Sequence, residues 1–72
     1  MESIGRYLHR EREIRQVSLE ELAQTTRIPL KMLHAIESDR FDKLPGEVFA
    51  RGFLRSYAQA LGLPPDDVLA LY

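Results

Sequence analysis

The sequence predicts an all-α fold, a compact bundle of about five short helices. Three observations predict it. Apolar residues recur at three- and four-residue spacing along the chain, and no useful stretch alternates with period two. Capping residues, prolines and glycines break that pattern at short intervals, so helix follows helix with little loop between. The chain has 72 residues, and a domain of that size buries only about 60% of the surface its unfolded chain exposes. Local helix–helix contacts suit that limit better than a roomy cleft. Residues 1–72 read as one domain, without repeats, low-complexity tracts or an internal linker.

Each element has its own signal. Ser3 is placed to cap a first helix running to about Arg15, with Ile4, Tyr7 and Leu8 inward and Arg6, Arg10, Arg12 and Arg15 on its polar face. Glu11 and Glu13 dilute that basic face. Ser18-Leu19-Glu20-Glu21 is a capping box: the serine hydroxyl accepts from the backbone three residues on, and Glu21 reaches back. Val17 sits at the staple position, and Leu19, Leu22 and Ala23 form the stripe of a second helix ending near Thr25. Pro29 suits a first turn, where its missing N–H does no harm, and Leu30, Leu33, Ala35 and Ile36 are core candidates of a third helix stopping near Ser38. Residues 39–45 read as a loop whose Phe41 and Leu44 tuck back. A fourth helix, about Glu47 to Leu61, ends at Gly62, a suitable left-handed cap. Pro64-Pro65-Asp66-Asp67 opens a last short helix with Val68, Leu69 and Leu71 to bury.

Composition excludes several classes of function. With no cysteine there is neither a disulfide framework nor a thiolate metal site, and two scattered histidines, His9 and His34, make no ligand set. Neither a metal nor another cofactor is expected. No basic-then-apolar leader opens the sequence, and no apolar run approaches the roughly 18 residues of a membrane span. Asp66-Asp67 and Glu20-Glu21 are paired carboxylates at helix starts, where capping and the helix dipole account for them. No nucleophile–base pair or Gly-rich phosphate loop occurs, so no enzyme and no small-molecule substrate is expected.

The second and third helices with their tight turn read as a helix-turn-helix. From Ser18 to Glu37 it resembles the Cro/repressor type, with Leu19, Leu22, Ala23, Ile28, Leu33 and Ile36-Glu37 at that family's packing positions. Those residues are scaffold. Base readout needs hydrogen-bonding side chains at the start of the third helix, and that run is Pro29-Leu30-Lys31-Met32-Leu33-His34. Only Lys31 and His34 are equipped for it. A net charge of −1 and a pI near 6.1 also stand apart from the basic balance usual in nucleic-acid binders.

The fourth helix is more informative. At about 100° per residue, Ala50, Leu54, Tyr57 and Leu61 sit centrally on a wide apolar arc and should face the core, with Phe49 at its edge and Phe53 beside it. An aromatic edge of this kind is the usual anchor of a protein interface. Arg51 and Arg55 line the other side. Gly52 costs about 1 kcal/mol relative to alanine in a helix interior, which suggests that another backbone or a bulky ring approaches it. The candidate partner-contact set is Phe49, Phe53, Arg51, Arg55 and Tyr57.

Three stretches carry a family resemblance: Ser18 to Ala23 followed by Thr26-Arg27-Ile28; Phe41-Asp42-Lys43-Leu44-Pro45; and Phe49-Ala50-Arg51-Gly52-Phe53-Leu54-Arg55-Ser56-Tyr57-Ala58 followed by Leu61-Gly62-Leu63. With Gly5, Leu8 and Arg12-Glu13 they cover nearly the whole chain, and it resembles the N-terminal cytoplasmic helix-turn-helix domain of the RodZ family of bacterial cell-shape proteins. The arginine-glycine-aromatic segment is the specific part. The resemblance implies an adaptor that binds the actin-like filament protein MreB, its filament-contacting aromatics falling on Phe49 and Phe53. It implies a cytoplasmic location, as the cytoplasmic domain of a single-span inner-membrane protein, in which the adaptor links the filament to the inner membrane for rod-shape maintenance. No membrane helix occurs within the sequence, which is then either part of a longer protein or a free-standing relative. Gln16 stands where the family usually has a glycine ending the first helix. The alternative is a sequence-specific DNA-binding regulator using Lys31, His34 and the arginines of the first helix.

Overall fold

The computed structural model describes residues 2–72, so Met1 of the expected 1–72 domain lies outside them. In chain order the elements are α1 (Ile4–Ile14), α2 (Leu19–Thr26), α3 (Leu30–Glu37), a 3-10 turn (Phe41–Lys43), α4 (Glu47–Leu61) and α5 (Pro65–Leu71), with no strand among the described residues. The all-α expectation holds, and helix ends fall within a residue or so of the sequence reading. Pro29 is the cap preceding α3 rather than its first residue. The expected loop of residues 39–45 contains the 3-10 turn, from which Leu44 is buried and Phe41 half-buried.

The helix starts follow from their first residues. The Ser3 hydroxyl accepts from the Arg6 N–H at 3.2 Å. At α2 the Ser18 hydroxyl accepts from the Glu21 N–H at 3.0 Å and the Glu21 carboxylate accepts from the Ser18 N–H at 3.1 Å, the reciprocal box anticipated above.

The helix ends use left-handed residues, three of them not glycine: Gln16 (φ 56°), Arg27 (φ 62°) and Asp39 (φ 59°), beside Gly62 (φ 76°). After α1, Val17 N–H donates to Arg12 O (3.2 Å) and Gln16 N–H to Glu13 O (3.0 Å). After α4, Leu63 N–H donates to Ala58 O (2.8 Å) and Gly62 N–H to Gln59 O (3.1 Å). Both are Schellman closures that satisfy the last carbonyls. Gln16 therefore performs the glycine's geometric task with a side chain attached.

The core is one cluster drawn from every helix: Leu8, Leu22, Leu33, Ile36, Leu54 and Val68 are its most enclosed aliphatic residues. α3 packs on α1 and α2, while α4 packs on α1 and α2 with one face and on α5. Gly5 permits the α1–α3 crossing. A Cβ there would lie 2.5 Å from Glu37 O and 2.6 Å from Ile36 O, closer than any side-chain carbon approaches a carbonyl. Its N–H donates to the Asp39 carboxylate at 2.8 Å. Two aliphatics expected in the core are not there: Leu30, on the first turn of α3, and Leu71, at the end of α5, are exposed. Each lies at a helix end, beyond the reach of the next layer. The radius of gyration, 10.7 Å, is near the roughly 11 Å expected of a folded chain this long.

Candidate functional site

α4 has two faces. Ala50, Leu54, Tyr57, Ala58 and Leu61 are buried, as the helical arc requires. Away from the core Val48 is 83% exposed and Phe49 54% exposed, while Phe53, at the edge of the buried arc, is half-buried against the core. The Phe49 and Phe53 rings lie 6.1 Å apart at 55°, a tilted aromatic pair. Val48 was missed by the wheel because it falls outside the apolar arc, on the arginine side. That displacement, an aliphatic residue among polar neighbours, is the signal that marks it.

Arg51 and Arg55 are exposed on the same helix. The Arg51 guanidinium sits 5.6 Å from the centroid of the Tyr72 ring, and its Nε lies 3.8 Å from Glu47. Tyr72 in turn meets Phe41 edge-on, with centroids 5.2 Å apart. The surface thus runs from Phe53 and Phe49 across Val48 and the two arginines to Tyr72. Gly52 lies in its middle, and a Cβ built there would meet nothing within 4 Å. The close approach that the sequence suggested at Gly52 does not occur within this chain.

Tyr57 does not belong to this surface. It is 0% exposed, and its hydroxyl donates to the Glu37 carboxylate, so it supports α4 from beneath and cannot touch a partner. Arg12, placed on the polar face of the first helix by spacing, also turns inward: its Nε donates to Glu37 at 2.8 Å, and its Nη1 donates to Val17 O at 2.9 Å. His9 Nδ1 lies 2.8 Å from the same carboxylate, and its Nε2 lies 3.1 Å from Glu13. Burial alone would raise Glu37, but the bonds from Arg12, Tyr57 and His9 outweigh it and hold the carboxyl below its ordinary value. Tyr57 is pushed up by its burial and then by Glu37, and the Arg12 guanidinium is raised by its bond to Glu37. This cluster ties α1, α3 and α4 together.

The DNA-reading candidates occupy another face. Lys31 and His34 are exposed on α3 and line, with Met32, Ala35, Arg40 and Lys43, an open groove of about 390 Å³. Leu30 and Met32 lie on the same first turns and offer bases no donor or acceptor. Among the described residues no group of three His, Cys, Asp or Glu is placed to hold a metal ion.

Chemically, the α4 surface is an apolar anchor rimmed by guanidinium groups. Full burial of a Phe or Val side chain contributes about 1.5–3 kcal/mol, and each 1.4 kcal/mol is about tenfold in affinity. Covering the exposed parts of Val48 and Phe49 would therefore contribute favourably to any contact made by this face, against the cost of association.

A family described as a helix-turn-helix domain matches residues 7–68. The chain is 43% identical over 70 residues to the cytoskeleton protein RodZ of Streptococcus pneumoniae, and 36% identical over 52 residues to the membrane protein YmfM of Bacillus subtilis. Those alignments cover 97% and 72% of this chain but only 25% and 18% of the relatives, so the chain spans about a quarter or less of their length. Among solved structures it superposes with a TM-score of 0.90 on YmfM of Staphylococcus aureus, a membrane protein proposed to bind DNA, at 35% identity. It superposes equally well, at 30% identity, on a chain of the complex in which the bacterial actin MreB assembles with the cell shape protein RodZ. Each superposition covers 96% of this chain and 84% of the other. No helix among the described residues is long and apolar enough to cross a membrane. The chain belongs to the helix-turn-helix family, and its likeness to the RodZ domain runs through almost its whole length.

Proposed function

We propose that residues 1–72 form one non-catalytic adaptor domain that docks on an actin-like filament subunit of the MreB type. Phe49 and Phe53 are the anchors, Val48 extends them, and Arg51 and Arg55 meet carboxylates of the partner. As the cytoplasmic domain of a longer membrane-anchored protein, it ties the filament to the inner membrane and so maintains rod shape. The observation that carries this reading is the exposed aromatic edge of α4, on a fold that superposes on one chain of the RodZ–MreB complex. Filament co-sedimentation tests it. The chain is expected to pellet with MreB filaments, and the Phe49→Ala/Phe53→Ala variant to remain in the supernatant with its helical circular dichroism intact. Undiminished pelleting of that folded variant removes this surface from consideration.

A second reading, duplex DNA binding, draws on the helix-turn-helix and on the likeness to YmfM. It needs Lys31 and His34 to read sequence beside Leu30 and Met32, which is weak equipment. Specific retention of one duplex at physiological salt would favour it, whereas sequence-indifferent binding that vanishes with moderate salt speaks against it.

A further inference from the structure

The chain has two glycines inside helices, and only one is explained by the fold. Gly5 is required where α1 crosses α3, since a side chain there would strike the Glu37 and Ile36 carbonyls. Gly52 has no such neighbour: space for a Cβ is open, and its φ is not among the positive values of this chain. A glycine in mid-helix costs stability relative to alanine, so the fold of this chain would be better served by alanine. Gly52 lies one turn after Val48 and three residues from both Phe49 and Arg55, in the centre of the exposed face of α4. Without a side chain it leaves a notch whose floor is helix backbone and whose walls are Val48, Phe49 and Arg55.

We propose that this notch receives the main chain of the docked filament subunit. A segment of the partner crosses α4 at Gly52, close enough that a methyl group would intervene, and its flanking apolar side chains bury Val48 and Phe49. The same segment carries a carboxylate for Arg55, which forms no salt bridge among the described residues. This rests on the docking reading above and specifies the shape and chemistry of the partner's contacting segment: apolar, close-packed and acidic at one end.

Gly52→Ala separates folding from docking because its two effects have opposite sign. The melting temperature is expected to rise by about 4–8 °C, from improved helix propensity in a domain of this size. Affinity for MreB filaments is expected to fall about tenfold, as overpacking of a close contact requires, and Gly52→Leu is expected to fall to background. Binding of either variant at the wild-type level overturns the inference while leaving the docking reading intact. A Gly52→Ala variant no more stable than wild type overturns it as well, since the glycine would then serve the fold. If the wild-type chain does not pellet with filaments, the docking reading itself fails, and this inference with it.

Discussion

A single carboxylate, Glu37, accepts from Arg12, Tyr57 and His9, and its loss would leave a mostly enclosed guanidinium without its partner. Removing one member of such a pair costs about 3–5 kcal/mol, a large share of the roughly 5–15 kcal/mol that holds a domain together. Glu37→Ala should therefore lower the urea midpoint sharply, and Tyr57→Phe should cost about 1–3 kcal/mol through the carboxylate it leaves under-satisfied. The pH dependence has a definite sign. Glu37 titrates below its ordinary value in the folded state, so its contribution is complete above the unfolded-state value and is lost as pH falls through the folded one. Urea midpoints should thus decline on the acid side of about pH 4, and the decline should be shallower in Glu37→Gln. Gln16 offers the opposite kind of test. It holds φ 56°, a conformation costly for any residue with a Cβ, and glycine escapes that cost at some loss of chain entropy. Gln16→Gly should stabilise the chain by about 0.5–1 kcal/mol, read from the same urea curves. Gly62→Ala should act in the reverse direction.

Between elements, the α1–α3 crossing leaves no room for a side chain at Gly5. Gly5→Ala puts a methyl group against two carbonyls of α3. The helices must separate, with an expected loss of about 1–3 kcal/mol measurable by thermal unfolding. The helices themselves were legible because their signals are local. Ser18 with Glu21, Pro65 with Asp66 and Asp67, and Gly62 after Leu61 each report on the few residues around them. What brings helices together was not legible. Arg12 and Glu37 are 25 residues apart, and Arg12 alone reads as one more arginine on a solvated face. Gln16 and Asp39 take left-handed geometry without the glycine that would announce it. On α4, periodicity placed Ala50, Leu54 and Leu61 inward and Phe49 at the rim correctly. The same periodicity put Tyr57 in the core, where its hydroxyl finds Glu37. A tyrosine buried there needs an internal acceptor, and that leaves it no part in a partner contact.

At the scale of the molecule, the helix-turn-helix and the aromatic edge belong to different faces, and the charge balance favours neither extreme. With 10 Lys and Arg against 11 Asp and Glu, the chain has no overall field to draw it to phosphate, and the cations of α1 are largely spent on Glu2, Glu11 and Glu37. The outward surface of α4 instead offers exposed Val48 and Phe49, with the Phe49 ring paired to the half-buried Phe53. The face used is therefore the central claim, and backbone amide resonances report on it directly. Titrating the labelled chain with an assembly-blocked MreB subunit should broaden or shift residues 48–55 first, while Lys31 to His34 remain unmoved. Perturbation centred on Lys31 to His34, with α4 silent, would contradict the account.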